Sequence, residues 1–118
     1  MMRTVRLEMA RCHEFPDGSS THGYELHLPL TPAGKLDRDF WLKHRQGGVF
    51  RRLWGDEEER GLLRHSRKGW ALSFEPHRED DRDEMIFRGD DHRFVAGEYV
   101  SIAERDGVIR TFRVAAVA

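Results

Sequence analysis

The chain has 118 residues, with 20 basic side chains against 21 acidic ones, seven His and one Cys. This length is typical of one domain spanning 1–118, and the charged fraction of 35% predicts a densely ionic, soluble surface. The composition excludes a helical membrane span, a collagen-like or low-complexity chain, a disulfide scaffold and a Cys-rich zinc protein.

Three further features predict the cellular setting. The lone Cys12 cannot form an intrachain disulfide, which fits a reducing compartment. The first residues lack the apolar run and the small-residue cleavage site of a secretory signal. Most of the basic residues are Arg, a bias that GC-rich bacterial coding produces. We therefore expect a bacterial cytoplasmic protein that has no membrane partner.

The N-terminal segment predicts two strands separated by a loop. Residues 4–10 alternate between apolar and polar side chains, which is the two-residue period of a half-buried strand. Residues 13–23 are rich in Gly, Ser, Asp and Pro and predict a loop. Alternation returns at 24–30, where Pro29 has no N–H to donate. This strand is therefore an edge strand or ends near that proline.

One short helix is predicted near residues 37–46. Asp37 can cap its first turn, because a carboxylate accepts hydrogen bonds from the free N–H groups there. Phe40, Trp41 and His44 would then share one face of the helix. The two glycines that follow would end it.

The next segment predicts three strands separated by turns. The elements in order are a strand at 49–54, a loop at 55–59 that contains an acidic run, and strands at 62–65 and 70–74. The last two strands form a hairpin whose register stays open. A tight two-residue loop pairs Leu63 with Leu72, whereas a bulged loop pairs Leu62 with Phe74.

The C-terminal segment predicts a polar loop, a short strand and a second hairpin. The elements in order are a loop at 75–84, a strand at 85–88, a turn at 89–92, and strands at 98–103 and 108–117. A bulged register pairs Val100 with Phe112 and Ile102 with Arg110. We favour it because it collects the apolar side chains, Val108 among them, on one face.

These elements give about seven to nine short strands, turn signals at regular spacing and one short helix. No linker divides the chain, and no internal repeat stands out beyond the two similar hairpins. The pattern predicts a mainly β fold, either a small antiparallel β-barrel or a compact sandwich.

The seven His residues are candidates for a metal site or for acid–base chemistry. No HxH, HxxxH or HExxH spacing occurs, so a site would have to assemble from distant segments, for instance from His22, His77 and His92. A cupin-like, metal-assisted enzyme with converging His is therefore one alternative function. The acidic run at 79–84 lacks the spacing of a calcium loop and predicts a solvated loop.

Motifs for covalent catalysis and for phosphate binding are absent. No Ser lies in a G-x-S-x-G turn, and neither glycine-rich phosphate loop occurs. Cys12 and His13 are adjacent, so on a strand their side chains point to opposite faces and cannot pair. We predict no catalytic residue, no cofactor and no resident metal.

Charge is distributed unevenly along the chain. Residues 43–68 hold eight Lys and Arg against four acids, and residues 75–91 hold eight acids against three Arg. Arg beside aromatic side chains on a small barrel is typical of single-stranded nucleic-acid binders, which gives a second alternative function. The acidic half and the net charge of −1 disfavour that alternative. A bipolar surface favours recognition of a partner protein or self-association.

The favoured function is a non-catalytic binding module for a partner protein or a small anionic ligand. Arg would supply forked hydrogen bonds to an anionic group, and Trp a flat apolar anchor. Small barrels hold ligands at their mouths, and here a pocket is predicted from Trp41, Trp54, Tyr24 and either His27 or His65. The predicted ligand-binding residues are Tyr24, His27, Trp41, Arg51, Arg52, Trp54, Arg64 and His65.

Overall fold

Eight strands and one short helix make up the part of the chain that the computed structural model describes, residues 1–75, 83–86 and 88–118. The strands are β1 (Met2–Met9), β2 (Ser19–Pro29), β3 (Val49–Trp54), β4 (Glu57–Ser66), β5 (Gly69–Glu75), β6 (Glu84–Ile86), β7 (Tyr99–Ala103) and β8 (Ile109–Val117). The helix α1 covers Arg38–Lys43, and a 3₁₀ turn follows at Arg45–Gly47. Among the described residues, no helix is long and apolar enough to cross a bilayer.

Each strand pairs antiparallel with the next one along the chain, and β8 pairs with β1, so the sheet closes into a barrel. The predicted mainly β fold is confirmed, and of its two forms the barrel is correct. The connections alternate between the two ends of the barrel. We call one the helix end, with connections 30–48, 67–68 and 88–98. The other is the loop end, with connections 10–18, 55–56 and 104–108.

The barrel interior follows from strand alternation, because every second side chain points inward. Those side chains are large and apolar along most of the barrel, and each full burial contributes about 1.5–3 kcal/mol. The buried members on the strands include Val5, Leu7, Tyr24, Leu26, Leu28, Phe50, Leu63, Trp70, Leu72, Phe74, Ile86, Val100, Ile102, Phe112 and Val114.

Two strand glycines lie where the neighbouring backbone leaves no room for a side chain. A Cβ at Gly61 would be 2.0 Å from the Ser73 carbonyl oxygen and 2.6 Å from the Phe50 ring. A Cβ at Gly23 would be 1.9 Å from the Leu7 carbonyl oxygen. These glycines allow a close approach of neighbouring strands, and Gly61 also makes room for a large aromatic ring in the barrel.

The predicted helix cap is confirmed, but the predicted helix is too long. The Asp37 carboxylate accepts a hydrogen bond from the Phe40 N–H at 3.1 Å. The α-helix ends before His44, whose φ of −136° lies outside the helical region. The chain then makes a short 3₁₀ turn, a common way for helical segments to end.

Both hairpin registers are resolved by the strand pairing. β4 and β5 pair Leu63 with Leu72, so the two-residue loop is correct and the bulged alternative is wrong. β7 and β8 pair Val100 with Phe112, which confirms the predicted register. The assignment of Val108 to the apolar face is wrong. It lies in the turn before β8, is 42% exposed, and donates its N–H to a turn carboxylate.

The loop predicted at 55–59 is too long. β4 begins at Glu57, and only residues 55–56 form the turn. The strand tolerates its acidic residues because Arg side chains reach the Glu58 and Glu59 carboxylates. Arg51 in β3, for example, donates to the Glu58 carboxylate at 2.8 Å.

The second strand differs from its predicted start. β2 begins at Ser19, inside the loop predicted at 13–23, and pairs there with Met9 across an irregularity in the ladder. It ends at Pro29, as predicted. It is not an edge strand, because β1 and β3 flank it on either side in the closed barrel.

The predicted strand at 85–88 corresponds to β6, which is shorter and begins one residue earlier, at Glu84. Arg88 lies in the following turn with a φ of 50°. Residue 87 and most of the polar loop predicted at 75–84, residues 76–82, lie outside the described residues. Most of the acidic run predicted at 79–84 therefore lies there as well.

Candidate functional site

The structure distributes the eight predicted ligand-binding residues over three regions. One group lines a pocket at the helix end, the second lines a depression on the outer wall, and the third lies inside the loop end. In that order the groups are Trp41, Arg64 and His65; His27 and Arg51; and Tyr24, Arg52 and Trp54. The predicted combination of Trp41 with Trp54 and Tyr24 in one pocket is not formed, because Trp41 and Trp54 lie at opposite ends of the barrel.

A cavity of about 280 Å³ opens at the helix end beside α1. Its floor consists of buried apolar side chains, and exposed or half-exposed basic side chains stand around it. The floor contains Trp41, Leu63 and Ala71, and the basic side chains are Arg45, Arg64 and His65. An apolar cavity with a few polar groups at its rim is the usual form of a small-molecule site.

Aromatic packing and hydrogen bonds hold the floor of this pocket in place. The Trp41 indole N–H donates to the Leu63 carbonyl at 3.2 Å. Its ring meets Trp70 edge to face at 5.5 Å, and Trp70 in turn contacts the His65 ring at 4.6 Å. The Trp70 indole N–H donates to Asp90 at 2.7 Å. Both indole donors are thus satisfied, as buried Trp requires.

The basic side chains of the pocket keep much of their charge available. The Arg45 guanidinium carbon lies 4.8 Å from the centre of the Trp41 ring, and among the described residues Arg45 makes no ion pair. Arg64 approaches Glu75 only to 3.9 Å, and an exposed pair at that distance contributes little. The pocket carboxylate Asp83 accepts a hydrogen bond from Ser73 at 2.9 Å. An anionic group would therefore meet two incompletely neutralised Arg.

The two ends of the barrel carry opposite charge. Connections at the helix end hold eight basic residues, Lys35, Arg38, Lys43, Arg45, Arg67, Lys68, Arg88 and Arg93, against five acids. Described connections at the loop end hold two Arg against five acids, Glu14, Asp17, Asp56, Glu104 and Asp106, while the acid at residue 83 lines the pocket beside α1. The pocket beside α1 thus lies at the positive end, which favours anions over cations.

The second group of predicted residues has its charge neutralised within the fold. His27 and Arg51 line an outer depression of about 340 Å³. Arg51 donates to Glu58 and to Glu25, each at 2.8 Å. These two hydrogen bonds raise the pKa of the Arg51 guanidinium, and the bond to Glu58 has the larger effect. An incoming anion would have to displace two carboxylates there.

A larger, open depression of about 700 Å³ lies beside the β1–β2 connection. It is lined by two acids, Glu8 and Asp17, and by two Arg, Arg11 and Arg113. Glu8 lies 3.7 Å from Arg113, so part of this charge is paired. The balanced lining gives this depression no preference for an anionic ligand.

A buried charged cluster fills the loop end, and the sequence analysis missed most of it. The Glu84 and Glu104 side chains are each 1% exposed, and those of Arg52 and Arg110 are 12% and 9% exposed. Glu104 accepts from Arg52 at 2.9 Å and from Arg110 at 2.8 Å. The Tyr24 hydroxyl reaches both carboxyl groups. The sequence does carry one signal for it: Arg52 lies two residues after the buried Phe50 in β3, so both side chains point into the barrel.

Trp54 belongs to this cluster rather than to a free surface. The guanidinium carbons of Arg52 and Arg110 lie 3.9 and 5.5 Å from the centre of its ring. His22 meets the same ring edge to face at 4.9 Å, and Phe15 does so at 6.0 Å. Arg52 and Trp54 therefore offer no open stacking platform of the kind that a single-stranded nucleic acid uses.

The His residues proposed for a metal site are not brought together in the described part of the chain. His22 lies at the loop end, where Ser19 contacts its ring nitrogen at 2.8 Å, and His92 lies in a connection of the helix end. His77 lies outside the described residues. Within the described residues, no group of three or more His, Cys, Asp or Glu could hold a metal ion.

Comparisons of the chain with protein-family models, with curated proteins and with solved structures found no match. The function proposed below is therefore argued from the geometry and charge of the chain itself.

Proposed function

We propose that the protein is a non-catalytic binding module that takes a small anionic ligand with a flat apolar body into the pocket at the helix end. Trp41 would contact the apolar body, and Arg45 and Arg64 would contact the anionic group. We further propose a bacterial cytoplasmic setting, on the basis of the Arg-rich composition and the single Cys.

One observation carries this proposal: a buried aromatic floor with incompletely neutralised Arg above it. The floor at Trp41 is 6% exposed, so an apolar ligand group that contacts it would leave water. Arg45 and Arg64 each present a planar fork of donors that matches a carboxylate, sulfonate or phosphate. Elsewhere among the predicted residues, Arg51 and Arg52 hold carboxylates of the fold itself.

We propose no chemical step in the pocket, and two of its polar groups, Ser66 and Asp83, take part in hydrogen bonds of the fold. Ser66 accepts a hydrogen bond from the Lys68 N–H at 3.2 Å. Asp83 accepts one from Ser73. Neither makes the nucleophile-to-base contact that covalent catalysis requires.

Nuclear magnetic resonance titration with two matched probes tests the proposal. Naphthalene-2-sulfonate and 2-naphthol share one ring system, and only the first is anionic. We expect the sulfonate to bind at least about tenfold more tightly, because charge-assisted bonds to Arg contribute about 1.5–3 kcal/mol each. Its binding should move the indole N–H signal of Trp41 and leave that of Trp54 in place.

Substitutions of the basic side chains complete the test. Arg45→Ala and Arg64→Ala should each weaken sulfonate binding by about tenfold, with little effect on 2-naphthol. Arg11→Ala removes an exposed Arg at the opposite end and should change neither affinity. Equal affinity for the two probes, or a shift confined to Trp54, would contradict the proposal.

A further inference from the structure

In the buried cluster of the loop end, the single hydrogen of the Tyr24 hydroxyl lies between two carboxyl groups. Its oxygen lies 2.6 Å from Glu84 Oε1 and also within hydrogen-bond distance of Glu104 Oε2. A phenol carries one hydrogen, so it can donate to only one of two carboxylates. The second close oxygen contact requires another hydrogen, and a carboxyl group is the available source. One of the two buried acids must therefore be protonated.

The surrounding cations identify which acid holds the proton. Glu104 accepts from Arg52 Nε and from Arg110 Nη1 at 2.9 and 2.8 Å, which satisfies a negative charge. Among the described residues, no Arg makes such a contact with Glu84: Arg52 Nε and Arg105 Nε lie 4.0 and 3.9 Å away, beyond hydrogen-bond distance. Its other oxygen accepts the backbone N–H of Arg105 at 3.1 Å.

With the proton on Glu84, the contacts around Tyr24 form a consistent chain. Glu84 donates to the Tyr24 oxygen, Tyr24 donates to Glu104, and Glu104 accepts from two Arg. Among the described residues, no buried side-chain polar atom is left without a partner, as a buried network requires.

The groups that face Glu84 come from several elements. Arg105 is engaged elsewhere, because its guanidinium donates to Glu59 and lies 3.5 Å from the centre of the Phe74 ring. The opposing residue on β5 is the apolar Leu72. In the described part of the chain, the titratable and charged groups around the carboxyl are Tyr24 from β2, Arg52 from β3, Glu59 from β4, Glu104 and Arg105 from the β7–β8 connection, and Arg110 from β8.

We infer that the loop end is closed by a proton-binding site, in which Glu84 keeps its proton in mildly acidic solution and links Tyr24 and Glu104, and that loss of this proton loosens that end of the barrel. This role is independent of any ligand at the helix end. It makes the folded chain sensitive to a rise in pH, because the deprotonated site places two buried carboxylates against one hydroxyl group.

The electrostatics act in the same direction. Burial raises the pKa of the Glu84 carboxyl above its usual value, and the Glu104 charge adds to this, while the contact with the Tyr24 hydroxyl and the hydrogen bond from the Arg105 N–H act against it. Burial, followed by the neighbouring Glu84 and Glu104 carboxyl groups, raises the pKa of Tyr24 well above its usual value, so the hydroxyl keeps its hydrogen.

Carbon-13 resonances of the Glu carboxyl groups test the site in the intact protein. Exposed Glu residues have a pKa of about 4.3 and are almost fully ionised at about pH 6. We expect one carboxyl resonance to keep the protonated shift at that pH and to be missing from the spectrum of Glu84→Gln. Fully ionised Glu carboxyl groups at that pH would overturn the inference.

The pH dependence of stability supplies a second, independent readout. An amide at position 84 imitates the protonated carboxyl, since it donates on one side and accepts on the other. The Tm of Glu84→Gln minus the Tm of the wild type should therefore increase by about 4 °C as the pH rises from 5 to 8.

A matched variant keeps that readout specific. Glu14→Gln alters an exposed carboxylate that Arg110 contacts in the same cluster. Its Tm difference from the wild type should stay constant over the same range of pH. If Glu84→Gln gives a constant difference as well, Glu84 is ionised throughout and the proton-binding site does not exist.

Discussion

The two ends of this barrel are closed by opposite means. At the helix end, aromatic side chains meet edge to face, and the basic residues remain outside, facing solvent. At the loop end, acids and Arg turn inward and satisfy one another in a buried network. An aromatic closure leaves charge available for a ligand, whereas an ionic closure uses its charge for the fold. Substitutions at the two ends should therefore differ in how much stability they remove and in whether that loss depends on pH.

The largest effect is expected at the ionic end. Glu104→Ala removes the acceptor shared by Arg52 and Arg110. Among the described residues, Arg52 then has no hydrogen-bonded carboxylate, whereas Arg110 keeps its contacts with Glu14 and Asp106. The free energy of unfolding should fall by about 4 kcal/mol in urea denaturation. Glu58→Ala, which removes an exposed partner of Arg51, should cost only about 0.5 kcal/mol. Equal losses in the two variants would show that the buried cluster contributes no more to stability than an exposed ion pair does.

A smaller loss is expected at the aromatic end. Trp41→Ala should lower the free energy of unfolding by about 3 kcal/mol, because it opens a cavity beneath α1. Trp41→Phe keeps most of the apolar contact and loses the bond to the Leu63 carbonyl, so about 1 kcal/mol is expected. Neither loss should change between pH 5 and 8, since apolar burial carries no proton. A loss that varies with pH would contradict the contrast between the ends.

The mildest effect is an acid sensitivity confined to the loop end. The hydrogen bonds from Arg110 lower the pKa of the Glu14 carboxyl, against a small opposing effect of burial. A lowered pKa in the folded state adds stability above the usual pKa of a Glu, and this stability is lost as the pH falls through the lowered value. As the pH falls from 5 to 2, the Tm of Glu14→Gln should therefore decrease less steeply than the Tm of the wild type.

The helix end provides the control for that acid series. Arg45→Ala removes a basic side chain that contacts Trp41 and makes no ion pair among the described residues. Its Tm should follow the wild-type curve through the whole acid range. A flattened curve for Arg45→Ala would mean that the acid response comes from the net charge of the protein rather than from the Glu14 pair.

Much of the fold can be derived from local pattern alone. The alternation in β1 and β2, the cap at Asp37 and the turn glycines of the hairpins predict the elements and the β7–β8 register, and they limit the β4–β5 register to two alternatives. Local pattern failed at 57–59, where a run of acids suggested a loop. Those residues form a strand because the fold brings Arg51 to the Glu58 carboxylate and Arg105 to the Glu59 carboxylate, and both Arg come from other parts of the barrel.

In the candidate site, the difference between what local pattern predicts and what the fold decides is larger. Trp41, Arg64 and His65 are residue types that the sequence analysis assigns to binding a partner protein or a small anionic ligand, and the fold places them around one pocket. Trp54 and Arg52 were chosen by the same reasoning, but they lie together in the buried network. Residue type alone does not distinguish an Arg that faces solvent from one that faces two carboxylates.

The sequence by itself determined which residues alternate, where the chain turns and which side of each strand is apolar, because these properties depend on neighbours two to four residues apart. Tertiary structure alone decided that β8 closes on β1, that the indoles at positions 41 and 54 lie at opposite ends, and that Tyr24, Glu84 and Glu104 meet. Those contacts join residues 60 and 80 positions apart. They depend on the number and offset of the strands in the closed sheet, which no local period encodes.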